Sequence, residues 1–212
     1  MASETSKDAR ADHARFFYSY IPGVQQYNDS GSRADRDLSA WKPALKNPLP
    51  QYLGQTPAAG HLQNYFVPAF SFLSGAQDTI AVLGGPQWWE QIWGSSRADD
   101  YAVWGIKKDK VPIGFHCLSP AFFKKDRGRA PPTTSEVQGQ VLVKSDLVEF
   151  IDAEALVLVW NDRGSGASQD VSIYTLPDHL GAFAFPNYGP PPKGTSYPMI
   201  NLSKGLLVKP PK

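Results

Sequence analysis

The sequence predicts an all-β protein built from three antiparallel sheets. Glycine and proline, 18 and 19 of the 212 residues, occur along the whole chain, and the apolar runs between them are short. Frequent turn residues between short apolar runs are typical of domains with many short strands. An internal repeat gives the number of sheets.

Eight short segments have the β-branched and aromatic composition of strands. They are residues 79–83, 101–106, 113–118, 140–144, 155–160, 171–176, 182–185 and 206–209. Two segments, 6–17 and 86–93, are the only helix candidates, the second because Pro86 suits a first helical turn.

The repeat has a constant offset of 133 residues between its two clearest copies. Residues 27–41, YNDSGSRADRDLSAW, align without a gap with residues 160–174, WNDRGSGASQDVSIY, and seven positions are identical. A weaker copy with a shorter loop lies at residues 93–106, WGSSRADDYAVWGI. Each copy is followed by a predicted strand that contains a glycine, namely Gly54, Gly114 or Gly181.

Each repeat is too small to be stable alone, since it spans roughly 50 to 65 residues and three or four short strands. Three such sheets can close on one shared core, and we therefore predict a β-prism-like fold. The rival all-β folds, a sandwich or a closed barrel, do not require a threefold repeat. We expect a single domain over residues 1–212, with an N-terminal extension at 1–26 and repeats at about 27–86, 93–148 and 157–209.

The repeated N-D-x-G-S-G stretch suits a tight polar loop between two strands. Asn and Asp side chains accept hydrogen bonds from backbone N–H groups two residues on, and Gly permits a positive φ. The second aspartate of each copy is predicted to tie the loop to the next strand. The predicted structural loop residues are Asn28, Asp29, Asp37, Asp100, Asn161, Asp162, Gly164 and Asp170. A Ca²⁺ loop is the alternative, although the stretch offers too few oxygen ligands.

The stretch WNDRGSGASQDVSIYTLP, followed by a glycine-containing strand and GPPP, resembles the repeat of the vacuolar protein sorting-associated protein sixty-two family. The resemblance is close over residues 157–192, recognisable over 27–54 and weak over 93–132. Tyr174 stands where the family pattern W-x-D-x-G-S-G…D-V-S-x-W has its second Trp, and the middle copy lacks N-D-x-G-S-G. The resemblance implies a stand-alone fungal member and supports the fold rather than an activity.

Composition excludes several classes of function. With 21 basic and 20 acidic residues, the chain has no basic footprint for nucleic acid or for a membrane surface. A single cysteine, Cys117, excludes a disulfide framework and a cysteine-rich zinc site. The polar N-terminus and the lack of a long apolar run predict a cytoplasmic protein without a membrane span. The four histidines are isolated and no nucleotide or hydrolase motif occurs, so we expect neither a metal nor a cofactor.

Aromatic residues crowd around the weak middle copy. Trp88, Trp89, Trp93, Trp104 and Phe115 are predicted to wall an apolar substrate pocket. Tyr101 or His116 would then orient a carbonyl or hydroxyl group of the substrate as the candidate catalytic residue.

Three functions remain open at this stage. The first is a cofactor-free cyclase or (hetero-)Diels–Alder-type pericyclase of fungal secondary metabolism, acting on an apolar or aromatic small molecule by proximity and shape. The second is a carbohydrate-binding β-prism lectin with its site in loops 28–36 and 161–169. The third is a trafficking or interaction module. A homo-oligomer is compatible with each of them.

Overall fold

The computed structural model describes residues 13–29, 36–44, 49–94, 101–124, 130–164 and 169–208, with the backbone alone at Tyr101 and Lys124. These residues form an all-β fold with several antiparallel sheets. Its strands are β1 (Phe16–Asn28), β2 (Leu38–Pro43), β3 (Thr56–Ala59), β4 (Phe66–Phe72), β5 (Thr79–Ala81), β6 (Trp89–Gly94), β7 (Tyr101–Ile106), β8 (Phe115–His116), β9 (Ala121–Lys124), β10 (Val141–Lys144), β11 (Val148–Asp152), β12 (Val157–Asn161), β13 (Ser172–Thr175), β14 (Ala182–Phe185), β15 (Ser196–Ile200) and β16 (Gly205–Leu207).

Helical structure in the described residues is limited to single 3₁₀ turns. These are Gly75–Gln77, Lys108–Lys110, Ser145–Leu147, Ala153–Ala155, Pro177–His179 and Leu202–Lys204. Within these ranges, no helix has the length and apolar character needed to cross a bilayer. The helix predicted at 86–93 is wrong, because that segment forms a turn and then β6. Of the other predicted helix, residues 16 and 17 lie in β1 and residues 6–12 lie outside the described ranges.

Three central sheets share one pairing pattern, as the repeat predicts. They are β1–β2–β3, β6–β7–β9 and β12–β13–β14, and every pair in them is antiparallel. In the first strand of each sheet the register shifts just before an aromatic residue, at Tyr27, Trp93 and Trp160. Such a shift is a β-bulge, which reverses the alternation of side chains beyond it. The bulge therefore belongs to the repeat.

The three aromatic residues after the bulges meet in one core. Tyr27, Trp93 and Trp160 are 4%, 0% and 0% exposed and belong to the same apolar cluster. Their cross-strand partners, Ala40, Val103 and Ile173, are in that cluster as well. Three sheets thus bury equivalent positions against one another, which explains why no single repeat needs a core of its own.

Each central sheet is accompanied by an outer strand pair. The pairs are β1 with β4, β5 with β10 and β11 with β15. The first half of β1 takes part in this outer layer, so the N-terminal extension predicted at 1–26 is wrong from residue 16 onwards. Phe16 is completely buried there. At the other end of the chain, β16 pairs with β1 in parallel and brings the two ends of the described chain together.

Segments of different repeats approach one another closely just before the third strand of each central sheet. A Cβ atom added to Gly54 would lie 2.3 Å from the Cβ of Ser119, and one added to Gly181 would lie 2.3 Å from the carbonyl oxygen of Leu118. Counted from the register, Ser119 is the middle-copy counterpart of both glycines. The earlier assignment of Gly114 to this position is wrong, because Gly114 lies in the turn before β8.

Candidate functional site

The first aspartate of the repeated motif, rather than the second, closes the loop. Backbone N–H of Leu38 donates to Asp29 Oδ1 at 2.7 Å, and the N–H of Val171 donates to Asp162 Oδ1 at 2.9 Å. Both aspartates are buried, whereas the second aspartates, Asp37 and Asp170, are exposed. The predicted tie through the second aspartate is therefore wrong, since the buried carboxylate fixes the strand that follows.

The same two aspartates join different repeats. The indole N–H of Trp160 donates to Asp29 Oδ2 at 2.8 Å, and that of Trp93 donates to Asp162 Oδ2 at 3.1 Å. Burial raises the pKa of the Asp162 carboxyl, while the hydrogen bonds from Val171 and Trp93 act in the opposite direction. The repeats are thus held to each other by polar contacts inside the apolar core.

Two further motif residues contribute to the loop of the third repeat. Asn161 Oδ1 accepts a hydrogen bond from the N–H of Arg163, two residues on. Gly164 has φ +82°, a conformation that residues with a side chain seldom adopt. Asp100 lies outside the described residues.

The tryptophans predicted to wall a pocket are part of the packed interior. Trp89, Trp93 and Trp104 are 2%, 0% and 5% exposed. Trp89 and Trp104 share one cluster, while Trp93 belongs to the central core. The bulge in β6 explains this separation, because residues four apart then face opposite sides. For these three residues the predicted pocket wall is wrong, and their indoles stabilise the sheets.

The other predicted site residues lie around the same cluster. Trp88 and Phe115 are half-buried and pack against it. His116 Nε2 is 3.0 Å from Ser145 Oγ, and burial lowers the pKa of its imidazole. The side chain of Tyr101 lies outside the described part of the chain. Burial raises the pKa of the Cys117 thiol to about 11, which disfavours a thiolate nucleophile.

A larger cleft lies in the first repeat, and only one of its lining residues, Asn28, belongs to the loops in which the lectin hypothesis placed its site. Its volume is about 550 Å³, within the range of small-molecule sites. The walls come from the second half of β1, from Trp41 on β2 and from the connection between β3 and β4. The lining residues are Gly23, Val24, Gln25, Asn28, Trp41, His61, Leu62 and Gln63.

Gly23 allows the β3–β4 connection to approach β1. Its N–H donates to the carbonyl of Tyr65 at 2.8 Å, and an added Cβ would lie 3.1 Å from that oxygen. In the second repeat, Trp89 holds the corresponding register position. Gln25 Nε2 donates to the carbonyl of Leu62 at 3.3 Å and fixes the opposite wall. The cleft is therefore a feature of the first repeat rather than of the repeat in general.

The lining of the cleft mixes polar and apolar side chains, and among the described residues it includes no Lys, Arg, Asp or Glu. Asn28 Nδ2 donates to Gln25 Oε1 at 3.3 Å, so these two amides are joined, and Gln63 supplies a third amide. Trp41 lies at the base of the cleft with only 3% of its surface exposed, and its buried Nε1 has no hydrogen-bond partner among the described residues. Such a surface suits an uncharged ligand with many hydroxyl groups.

His61 connects the cleft to two carboxylates. Its Nε2 lies 2.7 Å from Asp29 Oδ1 and 3.8 Å from Asp37 Oδ1. Sequence spacing gave no indication of this cluster, because two strands, β2 and β3, lie between the aspartates and His61 in the chain. The repeat offers a signal, since the register places His61 and Tyr188 at the same position after the third strand.

Two further clefts are smaller. One, of about 440 Å³, lies along β1 and β4 and is lined largely by apolar side chains, including Phe17, Tyr18 and Phe70. The other, of about 170 Å³, lies beside the middle copy and includes Ile92 and Cys117. Neither is lined by any of the residues predicted to bind or convert a substrate.

No protein-family model matches the chain, and no curated protein matches it. Among solved structures, the chain is similar to the crystal structure of GNIP1Aa from Chromobacterium piscinae, with a TM-score of 0.70 and 24% identity. The alignment covers 93% of this chain and 39% of that one, so the chain spans well under half the length of GNIP1Aa. The similarity concerns the fold alone. Membership of the vacuolar protein sorting-associated protein sixty-two family stays a prediction.

Proposed function

We propose that the protein is a carbohydrate-binding module that holds an uncharged sugar in the cleft of the first repeat. The observation that carries the proposal is the lining of that cleft, in which the amides of Gln25, Asn28 and Gln63 lie beside the apolar side chains of Val24 and Leu62. Amides can pair with hydroxyl groups both as donors and as acceptors, and apolar side chains can pack on the C–H face of a sugar. A cytoplasmic location and the lack of a nucleic-acid partner belong to the same proposal.

The cofactor-free cyclase hypothesis has less support. It requires Trp89, Trp93 and Trp104 to line an open pocket, but these side chains are buried. The cleft next to the middle copy has about 170 Å³, below the roughly 300 Å³ at which small-molecule sites begin. The trafficking or interaction module remains a prediction without a surface that favours it.

A glycan array followed by calorimetry of the best glycan tests the proposal. Asn28→Ala and Gln63→Ala should each weaken binding at least about tenfold, since each removes a hydrogen-bonding group from a largely desolvated ligand. Asn161→Ala is the matched control, because Asn161 holds the position of Asn28 in the third repeat. It should bind as the unmodified protein does.

A change at the middle copy is a second control for the carbohydrate site. Trp88→Ala should leave glycan binding unchanged, because Trp88 does not line the cleft of the first repeat. Failure of the array to detect any glycan, or glycan binding that survives both cleft variants, would refute the carbohydrate site.

A further inference from the structure

We infer that Asp29, Asp37 and His61 bind a divalent transition-metal ion such as Zn²⁺ beside the cleft. One ligand atom from each residue is available, and the three atoms lie within 4.8 Å of one another. An imidazole nitrogen with two carboxylates is a donor set that suits zinc and its neighbours better than Ca²⁺ or Mg²⁺.

The distances fit an ion after a small adjustment. Ligand bonds of about 2.0–2.2 Å at tetrahedral angles place neighbouring ligand atoms roughly 3.3–3.5 Å apart. The observed separations from His61 Nε2, 2.7 Å to Asp29 Oδ1 and 3.8 Å to Asp37 Oδ1, lie on either side of this range. A shift of His61 Nε2 by roughly 0.6 Å, away from Asp29 and toward Asp37, would bring both separations into it.

Burial and exposure are distributed as a metal site requires. The Asp29 side chain is 1% exposed, and the N–H of Leu38 and the indole of Trp160 fix its carboxylate. The side chains of His61 and Asp37 are 38% and 63% exposed, so an ion can enter from solvent. A fixed carboxylate below two accessible ligands combines orientation with an entry path.

The third repeat provides an internal comparison. Asp162 and Asp170 correspond to Asp29 and Asp37, but the position of His61 is held by Tyr188. Partial burial, together with the hydrogen bonds and charges of Asp170 and Asp162, raises the pKa of Tyr188 to about 12. A phenol in that state is not a metal ligand at neutral pH, so of these two repeats the first alone carries the complete donor set.

Titration of ZnCl₂ into the full chain without a histidine tag, followed by calorimetry, tests the inference. We expect one ion per chain. His61→Tyr, which copies the third repeat, and Asp37→Asn, which changes an exposed side chain, should each lower the affinity at least about tenfold. Tyr188→Phe and Asp170→Asn are the matched controls and should leave it unchanged.

Circular dichroism should show that all four variants are folded. If His61→Tyr does not fold, Asp37→Asn still tests the site. The absence of zinc binding, or zinc binding that both site variants retain, would overturn the inference in favour of a simple hydrogen bond between His61 and Asp29. Because zinc is titrated without a glycan, this result is independent of the proposed carbohydrate site.

Discussion

Replacing Trp160 with Phe should destabilise the protein more than the same change at Trp89. Both indoles are buried, at 0% and 2% exposure, so the two variants lose similar apolar area. The difference lies in the acceptor of the indole N–H. Trp160 donates to the buried carboxylate of Asp29 at 2.8 Å, whereas Trp89 donates to the neutral carbonyl of Leu83 at 2.8 Å.

The size of the effect follows from the charge of the acceptor. A hydrogen bond to a charged group contributes about 1.5–3 kcal/mol, and one between neutral groups about 0.5–1.5 kcal/mol. The shared loss of packing cancels in the comparison, so Trp160→Phe should cost about 1–2 kcal/mol more than Trp89→Phe. Because Asp29 and Trp160 belong to different repeats, the change weakens the closure of the three sheets as well as one loop.

Urea unfolding followed by far-ultraviolet circular dichroism measures the difference, since fluorescence would change with the number of tryptophans. A double-mutant cycle with Asp29→Ala isolates the interaction between the two side chains. Equal free energies of unfolding for Trp160→Phe and Trp89→Phe, or a coupling near zero in the cycle, would show that the indole–carboxylate bond does not hold the repeats together.

Two further predictions concern the close contact between Gly54 and Ser119 and the dependence of stability on pH. Gly54→Ala should lower the melting temperature strongly, because its Cβ would lie 2.3 Å from the Cβ of Ser119. Gly114→Ala has open space around its Cβ and should show only the smaller cost of a positive φ, so equal losses in the two variants would contradict the geometry. Burial lowers the pKa of the His179 and His116 imidazoles, so the folded state binds protons more weakly than the unfolded chain, and the free energy of unfolding should fall as the pH drops below the unfolded value of 6.5. His179→Asn, in which Asn tolerates the φ of +57° at that position, should reduce this loss in urea titrations across the acidic range, and an unchanged pH profile would show that His179 does not contribute.

The positions of the predicted pocket residues depended on a feature that the sequence does not display. Trp89 and Trp93 are four residues apart, and in a regular strand they would share a face. The bulge at Gln91–Trp93 places them in different clusters. Trp88 and Trp89, which strand alternation would separate, pack on the same cluster because Trp88 still lies in the preceding turn. Small irregularities of the backbone therefore decided which aromatic side chains are buried.

The sequence by itself determined the all-β class, the three sheets and the loop positions, because turn chemistry is local and the two outer copies share seven of fifteen residues around the loop. Gly164 and Asn161 have the conformation and the hydrogen bond that their types predict. Only the tertiary structure decided where a ligand can bind. The cleft and the Asp29–His61 contact join segments that β2 and β3 separate in the chain, and Gly23 lets the backbone at Tyr65 approach β1 beside the cleft. Contacts of this kind depend on residues in which the three repeats differ and on how the backbone brings them together. The repeat pattern shows only the residues that the repeats have in common.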